Sequence, residues 1–211
     1  MRAAAIGVAV AVGVGHVAAR YAGARRVAGV LKAIPIAILA LTAAFEPAPV
    51  SEAYRRLVVV GLLSSLAGDV WLVFPRGFVP GLACFLVAHV LYIAAFAPAV
   101  VWSPQAALLG VGFALFAVRM FARLAPGLGK ERVPVAVYVT TIAAMGWCAA
   151  VRAGSVGGPS GTLALAGALL FMVSDGVLAV DRFVRRFAAA DAVVMTTYYA
   201  AQILIALSVR A

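Results

Sequence analysis

The chain has 211 residues, 66% of them apolar and only 11% charged, with 17 Lys and Arg against 7 Asp and Glu for a formal charge of +10. A soluble domain carries about a quarter charged residues, so this composition excludes a soluble enzyme, a disordered tail and a disulfide scaffold. The basic residues lie in short clusters between long apolar runs, which marks membrane topology rather than a nucleic-acid partner. The expected fold class is an all-α polytopic membrane bundle, with the lipid bilayer as its surroundings.

A helix needs about 20 mostly apolar residues to cross the hydrocarbon core. Eight stretches qualify in chain order, at about 3–19, 28–45, 57–74, 79–97, 104–121, 133–151, 161–180 and 192–209. Charges and breakers separate them: Arg25 and Arg26, Glu46 to Pro49, Pro75 to Gly77, Pro98, Gly127 to Arg132, Gly157 to Pro159, and Asp181 to Asp191. Little chain is left over, so a single integral membrane domain over 1–211 is expected, with 1–97 and 98–211 as two four-helix halves. The first stretch exceeds the length of a signal-peptide core and reads as a retained span.

The odd-numbered connections carry 11 Lys and Arg, whereas the termini and the even-numbered connections carry 5. The positive-inside rule then places both termini outside the cytoplasm. Arg far outnumbers Lys, and Ala and Val abound, a bias of GC-rich bacterial genomes. A bacterial cytoplasmic membrane is the expected location.

Glu46, Glu52, Glu131 and Asp181 fall in or beside connections, and Asp191 reads as the N-cap of the last span. Asp69 and Asp175 remain, each flanked by apolar residues. A charged Asp near the bilayer centre costs about 2.5–3.5 kcal/mol, so such residues face a bundle interior and mark function. The two are matched: Tyr92 follows Asp69 by 23 residues, and Tyr198 follows Asp175 by 23. Each Asp also has a Leu three residues on, Leu72 and Leu178. The pattern predicts two halves in the same orientation, related by a pseudo-twofold axis along the membrane normal.

Depth sharpens the expectation. Spans three and seven run toward the cytoplasm, and spans two, four and eight leave from it. Lys32, His89, Tyr92 and Tyr198 thus fall within reach of the two Asp residues. Phe85, His89, Tyr92 and Phe96 share one helical face, as do Asp191, Met195, Tyr198 and Gln202. The reading is a polar pocket open to the inner leaflet. Cys84 and Cys148 lie in apolar runs and read as packing residues. With His16 and His89 as the only histidines, no zinc-ligand spacing occurs, and neither a metal nor a cofactor is expected. His16 reads as a packing or interfacial residue.

Ser65-x-x-Gly68-Asp69 and Phe78-x-x-Gly81-Leu82-x-x-Phe85-x-x-x-His89-x-x-Tyr92 resemble the YhhN-like lysoplasmalogenase membrane family. Gly167-x-x-x-Phe171-x-x-Ser174-Asp175 and Tyr198-x-x-x-Gln202 extend the resemblance into the last two spans. The family places a Lys-Pro pair in the second span; here Ala33 and Ile34 separate Lys32 from Pro35. The resemblance implies hydrolysis of the vinyl ether of a lysoplasmalogen, a lysophospholipid substrate, to a fatty aldehyde and a glycerophospho-ethanolamine or -choline. Such a reaction begins by protonating an alkene carbon, and water captures the resulting oxocarbenium ion. Two carboxyl groups suit that path, as they do in glycosidases. Asp69 and Asp175 are the expected catalytic pair, and their substitution by Asn is expected to abolish aldehyde release. His89, Tyr92, Tyr198, Gln202, Ser65, Ser174 and Lys32 are the expected substrate-binding or water-positioning groups. Basic residues at the inner rim are expected to hold the phosphate. The same Asp pair also fits a small proton-coupled transporter or lipid flippase.

Overall fold

In lipid, backbone N–H and C=O groups must be satisfied within their own segment, and this chain answers with helices throughout. The computed structural model describes residues 2–211, which form eight α-helices joined by short connections. They are α1 (Arg2–Tyr21), α2 (Arg25–Ala44), α3 (Glu52–Trp71), α4 (Phe78–Phe96), α5 (Pro104–Leu124), α6 (Arg132–Val156), α7 (Gly158–Phe183) and α8 (Ala190–Leu207). Seven are long and apolar enough to cross a membrane, and the protein is an integral membrane protein. The remaining one, α3, gathers Glu52, Arg55, Arg56 and Asp69 within its 20 residues.

Local chemistry sets the boundaries. Ser51 caps α3 by accepting the Tyr54 N–H at 3.1 Å, so the helix begins five residues before the expected span and takes in Arg55 and Arg56. The break around Pro98 is a 3-10 turn at Ala97–Ala99; Ser103 then caps α5, with Pro104 in its first turn. A left-handed Gly23, at φ 78°, lets the chain reverse between α1 and α2. Asp191 is not an N-cap: Ala189 holds that position, and Asp191 lies in the first turn of α8, paired with Arg20 of α1 at 3.4 Å. Hydroxyls on lipid-facing surfaces return to their own helix, as Ser64 does to Val60 O and Thr140 to Ala136 O, each at 2.9 Å.

Helices adjacent in sequence pack together within α1–α4 and within α5–α8, and the two sets meet where α4 touches α6 and α8 touches α2. Small residues permit close approach. A Cβ on Gly68 of α3 would lie 2.7 Å from the Phe85 ring of α4. One apolar core runs through both sets, and a smaller one joins α5, α6 and α7 around Leu124, Leu128, Val135 and Val139.

One end of the bundle bears the α1–α2, α3–α4, α5–α6 and α7–α8 connections and is hereafter the basic end. At the opposite end, Arg152 lies within α6 rather than in a connection, and it is 1% exposed. Its guanidinium stacks 4.5 Å from the Tyr54 ring centre and donates to Ser160 Oγ at 2.9 Å, which in turn donates to Ser208 O at 2.6 Å. These contacts tie α3, α6, α7 and the chain end together.

Candidate active site

Asp69 and Asp175 both face the bundle interior, toward the basic end. Asp69 on α3 is 1% exposed. The Lys32 ammonium of α2 lies 3.3 Å from Oδ1, and the Tyr198 hydroxyl of α8 donates to Oδ2 at 2.6 Å. An ion pair plus a hydroxyl donor is what a carboxylate deep in a membrane protein requires, since removing a charge from water is costly unless partners replace the water. The position of Lys32 follows from helix geometry: it stands two turns into α2, on the side that meets α3 and α8.

Asp175 on α7 is only partly buried, and different helices address it. The Tyr138 hydroxyl of α6 donates to its Oδ2 at 2.5 Å. His89 Nε2 of α4 stands 3.8 Å from the same oxygen, beyond hydrogen-bond range. No cation pairs with Asp175 among the described residues.

Aromatic rings join the two carboxylates. Tyr198 lies 5.5 Å from Phe171, Phe171 lies 4.6 Å from His89, and Phe85 packs edge-on to both Phe171 and Tyr198. The expected face of α4 is indeed buried, with Phe85, His89, Tyr92 and Phe96 all inward. Tyr92, however, does not serve Asp175; it donates to Gln202 Oε1 at 2.8 Å, one layer farther from the basic end. Ser174 Oγ donates to Val194 O at 3.0 Å and fastens α7 to α8. Ser65 Oγ, both His89 nitrogens and Gln202 Nε2 are buried without a hydrogen-bond partner among the described residues.

Two spaces open beside these groups. A polar basin at the basic end is walled by Arg20, Arg25, Lys32, Arg182 and Arg186, with Asp181 and Asp191 among them. An apolar cavity lies between α4, α5, α6 and α7, its wall polar only at Asp175, Tyr138 and Arg182. Leu72, Phe78, Leu178 and Arg182 border both spaces. Arg182 is held there by stacking 3.4 Å from the centre of the Phe78 ring. Asp175 faces the cavity, whereas Asp69 lines neither space and sits behind Lys32.

His16 is a packing residue that bridges α1 to α2, its Nδ1 2.8 Å from Ala28 O, and it also touches the basin. Sequence reasoning overlooked Tyr138 and Arg182. A signal for Tyr138 was present: it follows Lys32 by the same interval that separates Asp69 from Asp175. Lys32 and Tyr138 are then matched donors to matched acids.

A family model described as the YhhN family matches residues 27–209. Human "Lysoplasmalogenase TMEM86B" is 41% identical over 168 residues, which are 75% of this chain and 65% of that protein. Bovine "Lysoplasmalogenase TMEM86A" is 40% identical over 72% of this chain and 64% of its own length. "Lysoplasmalogenase" of Mycobacterium tuberculosis is 33% identical over 72% of this chain and 59% of its own. The chain thus spans slightly less than two thirds of the length of these relatives. No solved structure matches it.

Proposed function

We infer that this chain, which belongs to the YhhN family, hydrolyses the vinyl ether of a lysoplasmalogen to a fatty aldehyde and a glycerophospho-ethanolamine or -choline. One observation carries the reading: a carboxyl group, Asp175, lies in the wall of an apolar cavity that adjoins a strongly basic basin. A lysophospholipid has the matching parts, one hydrocarbon chain and one phosphate, with the vinyl ether between them. The names of the relatives support the same reaction.

The residues divide the chemistry as follows. Asp175, protonated, gives its proton to the alkene carbon farther from the ether oxygen, and the positive charge moves to the carbon–oxygen unit. Water adds to the carbon bonded to the ether oxygen and returns a proton to the Asp175 carboxylate. The hemiacetal then collapses to aldehyde and alcohol, one water being consumed. Tyr138 fixes the Asp175 carboxyl with its hydroxyl, and His89, 3.8 Å from the same oxygen and with both ring nitrogens unpartnered among the described residues, positions the water. Asp69, paired with Lys32 and bonded by Tyr198, stabilises the developing cation through the Tyr198–Phe171 layer. Arg182 and the basin arginines take the phosphate. Tyr92, Gln202 and Ser174 hold the helices around this centre, and Ser65, its hydroxyl unpartnered among the described residues, lines the interior beside them.

The same reading includes two four-helix halves related by a pseudo-twofold axis. It is supported by the equal intervals from Lys32 to Tyr138, Gly61 to Gly167, Asp69 to Asp175 and Tyr92 to Tyr198. It is also supported by the exchange of partners, Asp69 meeting α2 and α8 while Asp175 meets α6 and α4. The basic end is assigned to the cytoplasmic side of a bacterial inner membrane on its excess of Arg.

The test is to incubate the purified protein in detergent with a lysoplasmalogen and follow aldehyde. Release above the rate of a protein-free control is expected. A transporter, which needs two compartments, gives none, and that outcome removes the hydrolase reading.

A further inference from the structure

The apolar cavity has a second neighbour. On its far side from the basin, Phe116 of α5 borders both the cavity and a shallow apolar groove between α5 and α7, formed by Leu108, Phe113, Leu169 and Met172. Three spaces thus follow one another along α7: basic basin, cavity with Asp175, lipid-facing groove. Leu72, Phe78, Leu178 and Arg182 form the first boundary, and Phe116 forms the second.

The corresponding helix of the first half is fastened differently. Toward the basic end, α1 is tied to α2, to α8 and to the connection before α8: His16 Nδ1 lies 2.8 Å from Ala28 O, Arg20 pairs with Asp191, and the Tyr21 hydroxyl donates to Ala188 O at 2.9 Å. Gly13 packs directly on the Tyr199 ring. By contrast, α5 has one side-chain hydrogen bond to a neighbouring helix among the described residues, Trp147 Nε1 to Ala106 O at 2.8 Å, in its first turn. From Phe113 to Leu124 its contacts with α6 and α7 are apolar packing, apart from the Arg132 guanidinium 6.0 Å from the centre of the Phe121 ring. A helix held by hydrogen bonds resists separation in lipid, whereas one held by apolar packing exchanges those contacts for lipid chains at little cost.

We propose that the hydrocarbon chain of the substrate enters from the bilayer between α5 and α7, passes Phe116 and lies in the cavity, so that α5 is the lateral gate and Phe116 the residue that selects a single unbranched chain. The occupant is the one chain of a lysophospholipid: its phosphate end matches the basic basin, and its hydrocarbon chain matches the apolar walls of the cavity and the groove. The inference rests on the lysolipid reading above but not on turnover. Phe116 touches the chain and not the reacting atoms, so it governs specificity rather than chemistry.

The test has two arms. In the first, the protein in detergent is irradiated with an alkyl-ether lysophospholipid bearing a diazirine at the end of its chain; the alkyl ether has no vinyl group to hydrolyse. Labelling at Phe113, Phe116, Leu169 or Met172 that excess unlabelled lysophospholipid removes is expected. Labelling confined to α1 and α2, or labelling that does not compete, overturns the path whatever the activity. In the second arm, Phe116→Trp narrows the gate and Phe116→Ala widens it. The Trp variant is expected to lower kcat/KM for a long-chain lysoplasmalogen roughly tenfold more than for a short-chain, water-soluble analogue. The Ala variant is expected to admit a branched chain that the wild type rejects. Equal loss on long and short chains, or an unchanged preference in both variants, overturns the role of Phe116. Competed labelling without any aldehyde release keeps the chain path and removes only the hydrolase reading.

Discussion

Asp69 and Asp175 stand at matched positions of two helices, yet their surroundings diverge. Asp69 is closed in, balanced by the Lys32 ammonium and the Tyr198 hydroxyl, and it lines no cavity. Asp175 has a Tyr where Asp69 has a Lys, a distant His where Asp69 has a Tyr, and an apolar cavity in front of it. An ion pair commits a carboxylate to its charge, whereas a carboxyl with only a hydroxyl donor is free to exchange a proton. Two acids at matched spacing thus differ in what they can do: one is anchored by an ion pair, and the other is open to an apolar cavity.

The largest effect belongs to the reactive side. Asp175→Asn removes the proton donor and is expected to cut aldehyde release by about 10³-fold while the protein stays folded in detergent, as judged by its melting curve. Asp69→Asn is expected to lower the rate by about 10²-fold and, unlike the first variant, to destabilise the fold by about 3 kcal/mol, because it leaves the Lys32 ammonium buried without its partner. Combining it with Lys32→Met should restore the melting temperature but not the rate. If the single and double variants melt alike, the anchored-charge account of Asp69 fails.

Smaller effects sharpen the contrast. Tyr138→Phe loses the hydroxyl on Asp175 and is expected to reduce kcat roughly tenfold with KM little changed, measured on initial rates of aldehyde formation. A rise in KM at constant kcat would instead mark Tyr138 as a binding group. Tyr92→Phe breaks only the bond to Gln202, one layer away, and should cost about 1 kcal/mol of stability with activity near wild type.

Much of this arrangement is legible in the sequence, because a bilayer leaves few choices. An Asp inside an apolar run must turn inward, so Asp69 and Asp175 could be found without coordinates. The faces of α4 and α8 follow from helical spacing, and Phe85, His89, Met195 and Tyr198 lie where that spacing puts them. What spacing does not encode is which helix lies opposite. Tyr198 of α8 meets Asp69 of α3, rather than Asp175 of the adjacent α7, because α8 packs on α2 and α3 as well as α7. Tyr138 escaped notice because a single Tyr in an apolar helix is ordinary until its partner is known. Arg55 and Arg56 lie inside α3 because a Ser cap outweighs the hydropathy boundary that the apolar run suggests. Arg152 is buried for a similar reason, the Tyr54 ring and Ser160 supplying what water would have supplied.

The central claim is that Asp175 protonates the alkene carbon of a vinyl ether, and one measurement addresses it directly. The purified protein is given lysoplasmalogen in deuterium oxide, with the aldehyde reduced chemically as it forms to block later exchange. The account predicts a single deuterium on the carbon next to the former carbonyl in the wild-type product, and no product above background from Asp175→Asn. Aldehyde without deuterium at that carbon, or formed at the wild-type rate by Asp175→Asn, would contradict it.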